Sequence, residues 1–332
     1  MLTRTIDIFK REGSDAWYAR PASDFLGTAY NADDYEQIVD IVDVWFESGS
    51  THVFVMETRP ELHWPADLYL EGSDQHRGWF QSSLLEAVGS RGRAPYKAVL
   101  THGFILDEKG YKMSKSLGNG MAPVDLMQNY GADVLRLWVA GSDYTEDIRF
   151  GENILKGHVD VYRRIRNTFC YLLGSFDGVD ASQRVPYAQL NSLDRYVLHR
   201  LSELDVIVRQ AIKDFDFQRM IAEINNFCAR DLSAFYFDIC KDTLYCDSLA
   251  STKRRGVVTV LDEVFTCLVH WLAPILPFTC EEAWLSYKGV DLEDMTESVH
   301  LSSLPVVPAQ WRDDALAQDW ARIISIDRKS VV

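Results

Sequence analysis

Residues 69–79 read YLEGSDQHRGW, and this stretch indicates the fold class. A short strand pattern runs into the turn Gly72-Ser73-Asp74 and then into a helix. At such a junction, backbone N–H groups and polar side chains converge at the carboxyl end of a strand. In a doubly wound α/β sheet, that is where a nucleotide binds. The stretch therefore predicts a nucleotide-binding α/β domain with its site beside this turn.

The sequence around this stretch keeps one pattern up to about residue 150. Short apolar runs alternate with Gly-rich turns, as in an α/β domain. The intervening segments are long enough for crossover helices. Three runs are predicted to be short buried strands: Val39–Phe46, Leu68–Leu70 and Ala98–Leu100.

After about residue 150 the apolar residues recur at spacings of three and four, which predicts amphipathic helices. Four such stripes run from Ile154 to Leu172, Leu193 to Ile212, Phe217 to Ile239 and Val257 to Trp271. Thr279, with Glu282 three residues later, predicts a capping box for a further helix that carries Trp284. Helices joined by modest loops predict an antiparallel bundle.

The bulk properties restrict the class of protein. The 332 residues are enough for two or three domains. No apolar run approaches the roughly 18 residues of a membrane helix, and the first residues lack a signal-peptide core. Six cysteines without a C-x-x-C pair argue against a zinc site and a disulfide framework. We therefore expect a reduced, cytoplasmic protein without a metal site of its own.

The formal net charge of −15 argues against a nucleic-acid partner. A local basic face can still bind phosphates while the rest of the surface repels them. Lys156, Arg163, Arg164 and Arg166 form such a cluster, which makes them candidate phosphate contacts. From composition alone, a solvated helix face explains the cluster equally well.

A lysine-rich string, Lys112-Met113-Ser114-Lys115-Ser116, carries the sharpest chemical signal. It follows a predicted hairpin over residues 106–111, in which Gly110 can supply a positive φ. Two ammonium groups three residues apart, with hydroxyls between them, can neutralise the charge that develops on a leaving pyrophosphate. A solvated basic turn is the alternative. The string predicts that Lys112, Ser114, Lys115 and Ser116 bind a polyphosphate, with the two lysines catalytic.

This string is the signature of class I aminoacyl-tRNA synthetases, and the chain from Asp15 to about Trp320 resembles that family. The resemblance implies a fold: the second half of a Rossmann-type α/β core, followed by an all-α anticodon-binding helix bundle. It implies that the polyphosphate bound by the lysine string is that of ATP, and that Arg163, Arg164 and Arg166 are candidate tRNA contacts. It also implies that Glu71, Gly72, Asp74 and Gln75 hold the aminoacyl-adenylate, with Trp79 near the amino-acid pocket. Two alternatives stay open: a charge at a helix amino terminus for Glu71, and a core aromatic for Trp79.

Residues 43–50 read DVWFESGS, which is similar to the isoleucyl branch of that family rather than the valyl branch. Trp45 and Phe46 would line an apolar slot for the amino acid, although a buried strand ending in a turn is compatible with the same residues. The resemblance implies ATP-dependent activation of isoleucine to isoleucyl-adenylate and transfer to tRNA(Ile). Mg²⁺ would arrive with ATP, and the family's full-length members are expected to be monomers.

The resemblance also suggests how the chain is organised. Gly131 is predicted to end one helix and Asp133 to start the next, in the connector that the family places before its tRNA arm. The predicted parts are residues 1–106 as the carboxyl-terminal part of the Rossmann-type core, 107–152 as lysine loop and connector, 153–322 as anticodon-binding bundle, and 323–332 as a truncated or foreign tail.

The departures from the family pattern lead to a further expectation. The H-x-G-H signature of class I enzymes is absent from the sequence, so we expect a truncated chain that is inactive alone in pyrophosphate exchange. One rival is a tRNA-binding module without catalysis, and a weaker one is a valyl-type ligase. The lysine string and Glu71 favour a ligase, because a pure tRNA-binding protein needs neither.

Overall fold

The computed structural model describes residues 1–113, 118–120, 122–176, 183–291 and 295–330. The chain divides into two compact units, Met1–Thr101 and His102–Val332, and each is described by itself. The finer domain boundaries at residues 106, 152 and 322 remain predictions. Within the described part, no helix is both long and apolar enough to cross a bilayer.

The first unit contains short helices and one small sheet. Its elements are α1 (Leu2–Glu12), α2 (Ala16–Ala19), α3 (Ala22–Leu26), α4 (Val44–Gly49), β1 (Ala66–Gly72), α5 (Trp79–Arg91) and β2 (Tyr96–His102). The buried residues include two small apolar clusters. One is Ile8, Ala16 and Phe25, and the other is Ala66, Tyr69 and Phe80.

Strands β1 and β2 are hydrogen-bonded neighbours joined through α5, which confirms two of the three predicted strands. Along β1, Ala66, Tyr69 and Gly72 are buried while Glu71 is exposed. The α/β part of the predicted fold is therefore present around the stretch from which it was inferred.

The third predicted strand, Val39–Phe46, is wrong. Residues 39–43 have no regular secondary structure, and helix α4 begins at Val44. The reason is local, because the Asp43 carboxylate accepts the backbone N–H of Trp45 at 2.8 Å and caps the helix. Ile41 is 83% exposed, so the apolar run that suggested a buried strand lies on the surface of this unit. Trp45 and Phe46 therefore lie on a helix.

The second unit is largely helical. Its elements are β3 (Ile105–Leu106), α6 (Pro123–Tyr130), α7 (Ala132–Ala140), β4 (Ile148–Arg149), α8 (Glu152–Ser175), α9 (Ser192–Asp214), α10 (Phe217–Asn226), α11 (Phe237–Cys246), α12 (Thr252–Leu272), α13 (Pro277–Lys288) and α14 (Asp314–Ser330). Strands β3 and β4 pair in parallel, with Ile105 opposite Ile148.

The four predicted helical stripes are confirmed as α8, α9, the run from α10 to α11, and α12. Helix α12 is the most enclosed, since 15 of its 21 residues are buried. A helix that is apolar on all sides belongs at the centre of a bundle. Around it the buried side chains form one large core, which includes Phe169, Leu201, Phe265 and Trp271.

One detail of the third stripe is wrong. Between α10 and α11 the chain is a π-helix, Phe227–Tyr236, with wider i→i+5 turns. The wider turns shift the phase of the stripe, so Tyr236 and Cys240 are buried where the 3.6-residue pattern predicted Phe235 and Ile239. Ile239 is instead 50% exposed.

The predicted caps around α7 and α13 also need correction. Gly131, with φ 82°, ends α6 as predicted, but α7 begins at Ala132 and its N-cap residue is Gly131. The Asp133 carboxylate instead accepts the backbone N–H of Thr279 at 2.8 Å and its hydroxyl at 2.6 Å. Helix α13 begins at Pro277, so the capping box predicted from Thr279 does not form.

Candidate functional site

The strand–turn–helix junction that sequence analysis singled out is confirmed in the first unit. Glu71 is the penultimate residue of β1 and is exposed, whereas Gly72 is buried. A 3₁₀ turn, Ser73–Arg77, carries Asp74 and Gln75 and leads into α5. Glu71 precedes Gly72, the N-cap of this 3₁₀ turn, so both interpretations of its carboxylate stay open. The four predicted adenylate residues, Glu71, Gly72, Asp74 and Gln75, thus lie at the end of β1 and in the turn that follows it.

Gln75 and Trp79 also have structural roles in this turn. The Gln75 Oε1 atom accepts the backbone N–H of Trp79 at 2.9 Å, and its Nε2 donates to Asp74 at 3.2 Å. The Trp79 indole stacks on Tyr69 with 4.3 Å between ring centroids. Its N–H donates to the Ser48 carbonyl at 2.9 Å. The core interpretation of Trp79 is therefore supported, although its side chain stays partly exposed.

Trp45 reaches the same junction from α4. A Cβ atom placed on Gly78 would lie 3.1 Å from the Trp45 ring and 2.7 Å from Gln75 Oε1. Only a glycine allows this close approach of α4 to the start of α5. The structure thus brings Trp45 and Trp79 to one place. Phe46, also predicted for the amino-acid pocket, is 57% exposed on α4.

In the second unit, the predicted hairpin before the lysine string is confirmed. Leu106 and Lys112 form an antiparallel bridge, and Gly110 has φ 86°. The Lys112 ammonium lies 3.7 Å from the centre of the Phe104 ring, a cation–π contact. Three other predicted ATP-binding residues lie outside the described residues: Ser114, Lys115 and Ser116.

Asp107 and Asn119 are part of this hairpin, and sequence analysis missed both. The Asp107 carboxylate accepts the backbone N–H groups of Lys109 at 3.0 Å and Tyr111 at 2.9 Å. It also accepts the side-chain amide of Asn119 at 3.0 Å. These hydrogen bonds, that of Asn119 first, hold the pKa of Asp107 below its ordinary value. An Asp three residues before a Gly is a common turn pattern that could have indicated Asp107.

Two of the three candidate tRNA-binding arginines share a groove on α8. The groove has a volume of about 560 Å³ and is lined by Asp160, Arg163, Arg164, Asn167, Thr168, Tyr171, Ser233 and Phe237. Arg164 donates to Asn225 at 2.6 Å, and Arg163 lies 3.8 Å from Asp160. Arg166 is exposed on the same helix but is not among the lining residues.

Aromatic side chains form the other end of this groove. Tyr171 stacks on Phe237 with 4.0 Å between ring centroids. Burial raises the pKa of Tyr171 to about 12, so its hydroxyl stays neutral at physiological pH. Guanidinium groups beside stacked rings suit the two parts of a nucleotide, the phosphate and the base. Sequence analysis did not single out Tyr171 or Phe237, because their partnership depends on the packing of α8 against α11.

One group of side chains has the composition of a metal site. Ligand atoms of His199, Glu203 and Asp314 lie within 4.8 Å of one another. However, His199 Nδ1 accepts the backbone N–H of Asp313 at 2.8 Å, so the proton of the neutral imidazole is on Nε2, the nitrogen that faces Glu203. Arg312 also pairs with Asp314 at 2.7 Å. We therefore assign no metal to this group.

Two family models match the chain, one over the α/β part and one over the helical part. The family model described as "tRNA synthetases class I (I, L, M and V)" matches residues 3–151. The model described as "Anticodon-binding domain of tRNA ligase" matches residues 194–330.

Curated relatives are similar over nearly the whole chain. Isoleucine–tRNA ligase from Mesorhizobium japonicum is 52% identical over 98% of the chain. The ligases so named from Brucella abortus and Pelagibacter ubique are 51% and 50% identical over 98% and 96%. The chain spans 32%, 33% and 35% of these proteins, which is about a third of their length.

A solved structure has a similar fold. It is the LeuRS of Agrobacterium radiobacter K84, crystallised in a ternary complex with tRNA and LeuAMS. The TM-score is 0.59 at 20% identity, and the likeness covers 75% of this chain and 29% of that one. Two family models in the expected order, relatives at about 50% identity and this shared fold agree with one another. The chain belongs to the class I tRNA synthetase family.

Proposed function

We propose that this chain supplies part of an isoleucine–tRNA ligase, which activates isoleucine with ATP and transfers it to tRNA(Ile). The observation that carries the proposal is the 52% identity over 98% of the chain with a curated ligase of that name. The described site adds support, since an adenylate-type turn and a lysine hairpin occur together in one chain. Because the chain spans about a third of such ligases, the activity of a whole enzyme stays a proposal.

In the proposed first step, an oxygen of the isoleucine carboxylate attacks the α-phosphorus of ATP. A P–O bond forms, the bond from the α-phosphorus to the oxygen that bridges it to the β-phosphate breaks, and pyrophosphate leaves with that electron pair. Lys112 and Lys115 neutralise the departing charge, and Mg²⁺ arrives with ATP as part of the substrate. Charge neutralisation and positioning suffice, so no covalent enzyme intermediate is needed.

The residues around the junction of β1 and α5 are assigned to isoleucyl-adenylate. Glu71 has an exposed carboxylate at the end of its strand, and Gly72 allows close approach to the backbone. Asp74 and Gln75 follow in the turn, where their mutual hydrogen bond fixes their orientation. Trp45 and Trp79 provide an apolar wall suited to the isoleucine side chain.

The groove on α8 is assigned to tRNA. Arg163 and Arg164 would contact phosphates, Arg166 would extend the basic face, and Tyr171 would offer a ring for stacking. The rest of the acidic surface would repel the nucleic acid and so favour this one orientation.

The assignment to tRNA predicts a selective, salt-dependent complex. Filter binding of tRNA(Ile) and tRNA(Val) should be measured from about 50 to 200 mM salt. We expect tighter binding of tRNA(Ile), and we expect Arg163→Ala with Arg164→Ala to weaken it about tenfold or more and to lower the salt slope by about 1–2.

Arg322→Ala is the matched control for these arginines. Like Arg163, Arg322 is an exposed helical arginine paired with an aspartate three residues before it, here Asp319. It should leave tRNA affinity within about twofold. Equal losses in the control and in the groove variant would contradict the assignment. Preference for tRNA(Val) would point to the valyl-type rival.

The phosphate role of Lys112 predicts a separate effect. Calorimetric titration of the chain with magnesium tripolyphosphate should show binding that Lys112→Ala weakens about tenfold, as for a desolvated ammonium–phosphate contact. Lys109→Ala, which removes an exposed lysine three residues away in the same hairpin, should change affinity by less than about twofold. Binding of tRNA without any binding of tripolyphosphate would favour the rival, a tRNA-binding module without catalysis.

A further inference from the structure

The lysine hairpin has its two sides joined by one pair of side chains. Asn119 Nδ2 donates to Asp107 Oδ2 at 3.0 Å and lies 3.4 Å from the Lys112 carbonyl oxygen. Asp107 lies before the turn and Asn119 after the lysine string, twelve residues apart. Asn119 therefore contacts both Asp107 on the opposite side of the hairpin and the backbone of Lys112.

The two oxygens of Asp107 have different partners. Oδ1 accepts the N–H groups of Lys109 and Tyr111, which is the hydrogen bonding of a side chain that shapes a turn. Oδ2 accepts the Asn119 amide, which the turn itself does not need. A hydrogen bond to an ionised carboxylate is stronger than one between neutral groups. The second contact therefore adds a distinct constraint, and it can be removed while the turn is left intact.

Lys112 lies at the open end of a short hairpin, where the Asn119 contact adds to the hydrogen bonds that hold its backbone. Strand β3 has only two residues, Ile105 and Leu106, and Leu106 forms an antiparallel bridge to Lys112. On either side of this bridge, the N–H groups of Asp107 and Met113 donate across the hairpin at 2.8 and 3.1 Å. The Lys112 side chain is exposed and rests on Phe104. A misplacement of about 1 Å at a catalytic group can cost on the order of a hundredfold in rate.

We propose that Asp107 and Asn119 form a positioning pair that holds Lys112 for the triphosphate of ATP, an inference that rests on the function proposed above. The pair acts through Lys112 and does not itself touch the nucleotide. Its effect on polyphosphate binding must therefore disappear when Lys112 is removed, whereas a merely structural role would persist.

The first test is a double-mutant cycle with magnesium tripolyphosphate as the probe, measured by calorimetry on the full chain. Asn119→Leu removes the amide at similar size and without a change in charge. We expect it to weaken binding about fivefold to tenfold in the chain with Lys112. In the Lys112→Ala background we expect less than about twofold. An equal loss in both backgrounds, or none in the first, would overturn the positioning role.

The second test reverses the hydrogen bond. In the double variant Asp107→Asn, Asn119→Asp, the asparagine oxygen can still accept the two turn N–H groups while its amide donates to the new carboxylate. The net charge equals that of the unsubstituted chain. Asn119→Asp alone places two carboxylates face to face and should weaken binding more than Asn119→Leu does. We expect the double variant to recover affinity to within about threefold, and persistent loss would argue against the pair.

Thermal unfolding of every variant separates folding from positioning, and the double variant covers the case in which Asn119→Leu perturbs the hairpin. Failure of the proposed function has its own signature. If the unsubstituted chain and Lys112→Ala bind tripolyphosphate equally, or neither binds, Lys112 has no phosphate role and the positioning pair falls with it. If Lys112→Ala weakens binding but the cycle shows no coupling, only the positioning pair is excluded.

Discussion

At the scale of single residues, Asp194 is a carboxyl group in the core of the second unit. It is 1% exposed on α9 and receives hydrogen bonds from Tyr236 at 2.7 Å and Asn191 at 2.8 Å. Burial nevertheless raises the pKa of Asp194 from 3.8 to about 6, because removal of the carboxylate from water outweighs the Tyr236 hydrogen bond. Folding therefore favours the protonated form of Asp194 over the charged form.

The sign of this shift predicts how stability depends on pH. Between the unfolded value and about 6 the folded chain binds more protons, so the contribution of Asp194 is present at low pH and is lost as pH rises through about 6. Asp194→Asn lacks the titration. The free energy of unfolding of the variant minus that of the wild type should rise by about 2 kcal/mol between pH 4 and 7. Urea unfolding at several pH values measures it.

Asp214→Asn serves as the control, since Asp214 is an exposed carboxyl at the end of the same helix. A change with pH of the same size in both variants would not be specific to the buried carboxyl. If the difference for Asp194→Asn stays flat between pH 4 and 7, Asp194 does not titrate as its burial implies.

Residue types in a short motif indicate chemistry, but they do not indicate their partners. The sequence pattern singled out Glu71 and Lys112 as candidates, because a strand–turn junction and a paired-lysine string are local signals. It could not identify that Gln75 caps the helix of Trp79, or that Asn119 bonds to Asp107. Those hydrogen bonds depend on rotamers and on chain reversal, which no spacing rule specifies.

At the scale of elements, Asp133 and Arg136 of α7 together hold the turn between α12 and α13. The Asp133 carboxylate caps the start of α13, where the helix dipole favours negative charge. One helical turn later, the Arg136 guanidinium donates to the carbonyl oxygens of Pro274 at 2.7 Å and Ile275 at 3.1 Å. These carbonyls follow the end of α12, where a cation is favoured.

This arrangement predicts that removal of the buried Asp133 carboxylate is costly. Asp133→Ala should destabilise the chain by about 1–2 kcal/mol, because it leaves the Thr279 N–H and hydroxyl without their acceptor. Asp125→Ala, which removes an exposed acid from the first turn of α6, should destabilise the chain by only a few tenths of a kcal/mol, roughly 0.3. Chemical denaturation measures both, and similar values for the two variants would show that the cap is unimportant.

Elements were predictable where the signal is long and periodic. Helices α8, α9 and α12 follow from stripes of about twenty residues, since one face must meet the core. The Val39–Phe46 run failed because apolar residues at a surface mimic a buried strand. Ile239 failed because a π-helix changes the period, and the Thr279 cap failed because its true acceptor is 146 residues away in sequence.

At the scale of the whole molecule, the large core lies entirely in the second unit. It draws on helices from α7 to α13, whereas the first unit has two clusters of three buried residues each. The first unit also exposes several large apolar side chains, including Ile41, Val44, Trp45, Phe46 and Phe54. Apolar burial is the dominant source of stability, so the two units are unequal in this respect.

This inequality predicts how the units behave when separated. Residues 102–332 expressed alone should give a helical circular dichroism spectrum and a cooperative thermal transition, because their core is their own. Residues 1–101 alone should unfold without a cooperative transition, since a small core rarely sustains a short domain. Cooperative unfolding by the short segment, or its absence in the long one, would contradict this division of stability.

Helix α8 connects the arginine groove to the lysine hairpin. Its 24 residues make a rod of about 36 Å, and the Glu108 side chain of the lysine hairpin occupies the space beside Gly151, just before the first turn. Arg163 and Arg164 lie about 18 Å along the axis from that end. A tilt of about 5° around the first turn would displace these arginines by roughly 1.5 Å relative to the hairpin. A nucleic acid bound in the groove would therefore act on the long arm of a lever whose fulcrum is beside Glu108 of the lysine hairpin.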